Sequence, residues 1–366
     1  MKNIRIGVIG VGQIGKRHVE RYKAIPGAEV VAVADIDQAE LQRVAAQYDI
    51  PHTYANFCRL LERDDIDSVD VCLHNNFHAP VTIAALRAGK NVYCEKPMAG
   101  AYVDAKAMYD EARRLGRKLS VQLNNLFSKP TKMARRLIQA GKLGRVYHAR
   151  STGFRRRGRP YVDGYGTASF VQKRIASGGA LYDMGVYHIA QVLFLMDMPR
   201  VERISGKIYQ ETAMDPGRRD SSGYDVEELG VGLVRLAGGV TLDIVEAWAM
   251  HLGSLEGSCL IGSEGGIRLD PFCYHSTDCD APADIVFDLD KADTRWHSLN
   301  EHEWAYDSSQ HHWIAAQQGI VDLLPIDEVA LQTMLISEGV YLSDRLGREV
   351  TAEEVLEHSE STAAKL

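Results

Sequence analysis

The chain has 366 residues, 45% of them hydrophobic and 25% charged, enough apolar side chain for two cores rather than one. A formal net charge of −7 argues against a nucleic-acid or anionic-membrane partner, because both call for clustered positive charge. The six cysteines (Cys58, Cys72, Cys94, Cys259, Cys273 and Cys279) contain no C-x-x-C pair, as expected of reduced thiols in a cytoplasmic protein.

The opening MKNIRIGVIGVGQIG reads as a first strand rather than a secretory leader, since regularly spaced glycines and no cleavage site follow its apolar run. No later stretch is long and apolar enough to span a bilayer. From Ile4 to about Leu123, the short apolar runs IRIGVIG, EVVAVAD, SVDVCL, NVYCE and KLSVQL alternate with helix-like segments. That alternation predicts a doubly wound α/β domain with a parallel sheet over residues 1–125. Past Val146 the strands lengthen and alternate (VERISGKIYQ, EELGVGLVRL, GVTLDIVEAWA, EGSCLIG), which predicts an α+β domain over 126–366 with a large, mostly antiparallel sheet. Helices are expected at about His302–Gly319 and Asp327–Leu346, and a frayed polar tail after about Glu357.

Gly10, Gly12 and Gly15 stand in G-x-G-x-x-G register after the first strand, with Gln13 and Ile14 opening a helix. A side chain at Gly12 would keep the backbone from a pyrophosphate whose charge the helix N-terminus stabilises. The second strand ends in Asp35, placed to accept both ribose hydroxyls of a dinucleotide. Its charge disfavours a 2′-phosphate and Ile36 supplies no arginine, so NAD is expected over NADP. Asp37 is expected to cap the next helix.

Ligands of open α/β sheets sit outside the carboxyl ends of the strands. There the chain carries HNNFHAP, with Leu73, His74, Asn75 and His78 as candidates to border the nicotinamide ribose, although helix capping and plain exposure explain such residues too. With no cysteine or third histidine beside His74 and His78, no metal site is expected. The next strand ends in Glu95, Lys96 and Pro97, with Glu95 and Lys96 as further candidates to contact the cofactor. The proline fixes the backbone after Lys96, and burial beside a cationic nicotinamide would lower the lysine pKa and suit it to proton transfer. The loop RRRGR, Arg155 to Arg159, is solvated by default, and Arg157 is a candidate for substrate hydroxyls. His311 and His312 are expected on a helix surface.

In GGALYDMGVYHIAQVLFL, Gly178 to Leu195, a helical projection gathers Asp183, Met184, Tyr187, His188 and Gln191 on one arc of about 140°. Satisfied buried hydrogen bonds would explain one such group, but three titratable groups on one face point to catalysis.

The motifs GVGQIG with Asp35, AALRAGKNVYCEKPMAG and GGALYDMGVYH together resemble the family of glucose-fructose oxidoreductase, inositol dehydrogenase and MocA-type proteins over nearly the whole chain. The resemblance implies a Rossmann domain plus an open-faced antiparallel sheet used for oligomerisation, hence a homodimer or homotetramer. It further implies an NAD(P)-dependent reaction on a sugar, cyclitol or related polyol, a catalytic Lys96, and a cis bond before Pro97. Many members have Thr-Pro where this chain has Leu73-His74, and HNNFHAP is similar to members that oxidise glucosides at C3. Family members place a histidine or tyrosine four residues after the aspartate; here Tyr187 holds that place and His188 follows it. Since histidine ordinarily titrates at about 6.5 and tyrosine at about 10, His188 is the better base at neutral pH, and geometry must decide. The same residues would also serve glycoside cleavage or epimerisation with recycled NAD, and the fold would serve a non-catalytic NAD-sensing regulator.

Overall fold

The computed structural model describes residues 2–366. The six strands β1 (Ile4–Ile9), β2 (Ala28–Ala34), β3 (His52–Tyr54), β4 (Ser68–Val71), β5 (Asn91–Cys94) and β6 (Leu119–Val121) form one sheet in the order β3-β2-β1-β4-β5-β6. All its pairs are parallel. Their apolar runs are buried on both faces, as a sheet covered by crossover helices requires. The strand order reverses between β1 and β4, which opens a crevice at their carboxyl ends.

The second sheet has nine strands: β7 (Val146–Phe154), β8 (Val201–Tyr209), β9 (Leu229–Leu236), β10 (Val240–Ala247), β11 (Cys259–Gly262), β12 (Gly265–Leu269), β13 (Phe272–Asp278), β14 (Ala281–Ile285) and β15 (Val350–Thr351). Their order is β14-β13-β12-β11-β7-β10-β9-β8-β15, antiparallel throughout except for the parallel pair β7–β10. In β10 the inward positions Leu242, Ile244 and Glu246 alternate with half-buried ones. A carboxylate at the end of an apolar row is the anomaly that marks the site. Long helix Ile326–Leu346 packs on β8, on helix Val186–Leu195 and on helix Tyr102–Leu115, and so joins the two halves of the chain.

Two expectations need correction, and one packing contact was not foreseen. Helix Ser309–Gln317, in sequence far from the first sheet, packs against it: Trp313 and Ile314 share a core with Ile4, Ile6 and Val8, and Tyr93 donates to Ser309 Oγ at 2.9 Å. His312 on that helix is fully buried, with Nε2 accepting from Leu324 N–H at 2.9 Å, because the helix is covered on nearly all sides. Nor is the tail frayed: Asp104 accepts from Ser361 Oγ at 2.6 Å and from Thr362 N–H at 2.9 Å, and Ala364 N–H donates to Asn76 O at 2.8 Å. The buried Asp104 carboxylate needs those donors. Among the described residues no helix is long and apolar enough to cross a membrane.

Candidate active site

The glycine turn is shaped for close approach. Gly10 has φ +90°, and a Cβ there would stand 2.3 Å from Cys72 O; one at Gly15 would meet Gly10 O at 1.9 Å. A Cβ at Gly12 would meet nothing within 4 Å, so the space in front of the turn is open. Gly12 caps helix Gln13–Lys23 without a side-chain bond, leaving the exposed N-terminus at Gln13 and Ile14 free to bind an anion. Asp35 Oδ2 accepts from Val11 N–H at 2.8 Å and Oδ1 from Asp37 N–H at 2.9 Å, which fixes the carboxylate beside the turn. Ile36 is 92% exposed and offers no cation. These residues fit a dinucleotide. Asp37 caps its helix by accepting from Glu40 N–H.

At the end of β4, Leu73 packs against the glycine turn, and exposed His74 meets Phe170 edge-on at 6.3 Å. Asn75 Nδ2 donates to Ala176 O at 2.7 Å and bridges to the segment before the polar helix. His78, expected beside the cofactor, is instead completely buried, with Nδ1 2.7 Å from Pro97 O and Nε2 3.0 Å from Leu73 O. Neither nitrogen is left for a ligand or a metal. Helix geometry explains this: four positions into helix Asn75–Arg87 its ring points back beneath the loop.

The bond between Lys96 and Pro97 is cis, as the resemblance implied. Lys96 Nζ donates to Asp183 O at 2.8 Å and to Asp183 Oδ1 at 2.9 Å, and lies 4.9 Å over the Tyr187 ring. Burial alone would depress the lysine, but the Asp183 carboxylate outweighs it and raises the pKa above the ordinary value. With Asp183 beside it the shift runs upward, and Lys96 Nζ acts as a hydrogen-bond donor to Asp183. Asp183 Oδ2 accepts from Trp248 Nε1 at 2.9 Å. Although burial opposes it, the Lys96 charge and these hydrogen bonds hold the Asp183 carboxyl below its usual range. Glu95 is buried and turned away from the cleft, onto His18 and the Lys96 N–H.

The polar helix does not start as an α-helix. Leu181–Gly185 is a π-helical turn, and the α-helix runs Val186–Leu195. Buried Glu227 caps it, accepting from Gly179 N–H at 2.8 Å, Leu181 N–H at 3.0 Å and Tyr341 Oη at 2.8 Å. The single arc of the projection accordingly splits. Asp183 and Tyr187 face Lys96, His188 faces β10, Met184 joins a core with Trp248, and Gln191 is buried on Thr131 Oγ1.

His188 Nδ1 lies 2.9 Å from Glu246 Oε2, whose other oxygen accepts from Ser151 Oγ at 2.8 Å. Burial lowers the His188 pKa, but Glu246 more than offsets it, and the net shift is upward. Burial pushes the Tyr187 hydroxyl up to about 12 against the opposing pull of Lys96, and that hydroxyl donates to Gln122 Oε1 at 3.2 Å.

Of the arginine loop, Arg155 reaches the cleft, with Nη1 3.8 Å from Asp183 Oδ2 and bonded to the Tyr165 hydroxyl. Arg157 is pinned to Asp163 at 3.0 Å and projects outward. Arg159, far from solvated, is completely buried on Asp163 and Glu228. Sequence reasoning missed Glu246, Trp248 and Gln122, and singled out Arg157 rather than Arg155 from the arginine loop. Only Glu246 had a local signal, a charge at an inward position of an alternating strand.

Residues 4–123 match the family described as "Oxidoreductase family, NAD-binding Rossmann fold", and residues 131–268 match the GFO/IDH/MocA C-terminal domain. The chain belongs to the Gfo/Idh/MocA family of oxidoreductases. Similar to it is the D-glucoside 3-dehydrogenase of Escherichia coli, 29% identical over 73% of this chain and 77% of that protein. The levoglucosan dehydrogenase of Pseudarthrobacter phenanthrenivorans is 27% identical over 81% of this chain and 79% of its own. Among solved structures, an oxidoreductase domain protein from Kribbella flavida superposes with a TM-score of 0.81 at 22% identity over 96% of this chain and all of that one. Levoglucosan dehydrogenase in complex with NADH and levoglucosan does so with a TM-score of 0.79 at 20% identity, covering 96% of this chain and 100% of that chain. These likenesses in structure carry the Gfo/Idh/MocA fold.

Proposed function

We propose that this oxidoreductase removes hydride from a secondary hydroxyl carbon of a sugar or glycoside, with C3 of a glucoside as the favoured position, using NAD rather than NADP. The observation that carries the reading is the Lys96–Asp183 pair beside the His188–Glu246 pair, at strand ends that border the open glycine turn. The names of the E. coli and P. phenanthrenivorans relatives support the substrate class, and Asp35 beside exposed Ile36 supports NAD.

Bound NAD supplies the hydride acceptor. Lys96, held protonated by Asp183, donates to the substrate oxygen and stabilises the alkoxide that develops there. His188 gives its Nδ1–H to Glu246, which leaves Nε2 with the lone pair that takes the hydroxyl proton. Tyr187 stays neutral, since its hydroxyl titrates near 12, and its ring seats the Lys96 ammonium. Arg155 is the loop group placed to meet substrate hydroxyls. The outward face of the second sheet, with exposed Leu233 and Ile261, supports a homodimer or homotetramer.

The test is incubation with NAD and a panel of glucosides, inositols and free sugars, following NADH absorbance. NADH formation with a glucoside is expected. Product without net NADH would move the reading to cleavage or epimerisation with recycled cofactor, and silence with every substrate despite NAD binding would sink it in favour of a cofactor sensor. His188→Ala should lower kcat by about 100-fold or more, and Tyr187→Phe by less than about tenfold. The reverse ranking would hand the base to Tyr187.

A further inference from the structure

His18, three residues after Gly15 and 1% exposed, belongs to a buried charged cluster that the chemistry above leaves unused. Its Nδ1 lies 2.9 Å from Asp70 Oδ2 and its Nε2 2.8 Å from Glu95 Oε1. Carboxylates bring no hydrogen, so both contacts call for ring N–H groups, and the side chain is an imidazolium shared between two acids. The two remaining carboxylate oxygens are also matched. Cys72 Sγ donates to Asp70 Oδ1 at 3.3 Å, and the backbone N–H of Lys96 donates to Glu95 Oε2 at 3.0 Å. His18, Asp70 and Cys72 stand close enough to surround a cation, but the imidazolium is itself the counter-charge.

A buried ion triad adds little stability over apolar side chains of the same volume, because desolvation consumes most of the attraction. What this triad does is geometric. It ties the helix that begins at the glycine turn to the ends of β4 and β5, and its last link is the main chain of Lys96. We propose that His18 is a positioning residue: through Asp70 and Glu95 it fixes the Lys96 backbone and thereby places the ammonium group at the reacting face. The inference rests on the reading of Lys96 as the group that meets the substrate oxygen.

The test compares His18→Leu and Glu95→Gln with the unaltered protein. Glu95→Gln keeps the shape but turns an amide donor or a weaker acceptor toward the Lys96 N–H, so it carries the test should His18→Leu not fold. Lysine acylation by acetic anhydride, read by peptide mass spectrometry, reports the placement of Lys96 without any substrate. Lys90, just before the same strand and bonded to Arg63 O, is the internal control. Acylation of Lys96 is expected to rise about tenfold or more as its seat on Asp183 loosens, with Lys90 unchanged. On a substrate that turns over, kcat should fall about 10- to 100-fold while KM and the NAD dissociation constant stay within about threefold. Unchanged Lys96 acylation in folded variants, or a parallel rise at Lys90, overturns the proposal. If the unaltered protein oxidises no sugar, the functional reading fails while the acylation ratio still decides the role of His18.

Discussion

At the scale of single residues, the proposed division of labour follows from which carboxylate stands beside Lys96 and which beside His188. Asp183 keeps Lys96 charged, and Glu246 raises His188. His188 must be neutral to accept a proton, so kcat/KM should climb as pH rises through its folded pKa, above the ordinary 6.5. Glu246→Gln removes the charge that opposed burial, so the rising limb should move to lower pH, measured in pH profiles of kcat/KM. A limb that stays in place would show that another group titrates there. Lys96 and Asp183, which the structure pairs, were legible as candidates because a lysine at a strand end before proline and an acid in a polar helical face are local patterns. The partner of His188 was not, because it lies 58 residues away.

At the scale of elements, two glycines separate packing from binding. A Cβ at Gly179 would come within 1.9 Å of the Glu227 carbonyl oxygen, a backbone atom that cannot swing aside. Gly179→Ala should cost about 3 kcal/mol in urea denaturation and disturb the π-turn that aims Asp183. Gly12→Ala, in open space, should leave stability within about 1 kcal/mol yet weaken NAD binding at least about tenfold by calorimetry, because the methyl group occupies the approach to the backbone. Equal stability losses in both would contradict the separation. The π-turn itself was invisible in the sequence, since a constant 100° per residue is the assumption of any helical projection, and Glu227 sits more than forty residues further on.

At the scale of the whole molecule, segments distant in sequence brace the cofactor side. Helix Ser309–Gln317 supports the first sheet, and the tail spans Asp104, Asn76 and Ser177. Removing residues 359–366 deletes the bond from Ala364 to Asn76, in the first turn of helix Asn75–Arg87, along with those to Asp104. NAD binding should weaken about three- to tenfold, the scale of one or two hydrogen bonds, by calorimetry. Unaltered affinity would mean that this helix start holds its shape without the tail.

The sequence by itself determined the doubly wound domain, the glycine turn with Asp35, the long alternating strands and the strand-end lysine. Each of these is a local signal, written in period, backbone freedom or adjacency. Only the tertiary structure decided that His78 is a buried brace, that Arg155 and not Arg157 reaches Asp183, and that Glu246 stands behind His188. A hydrogen-bond partner or a net pKa shift depends on which side chains two packed sheets bring within about 3 Å, and no spacing along the chain encodes that distance.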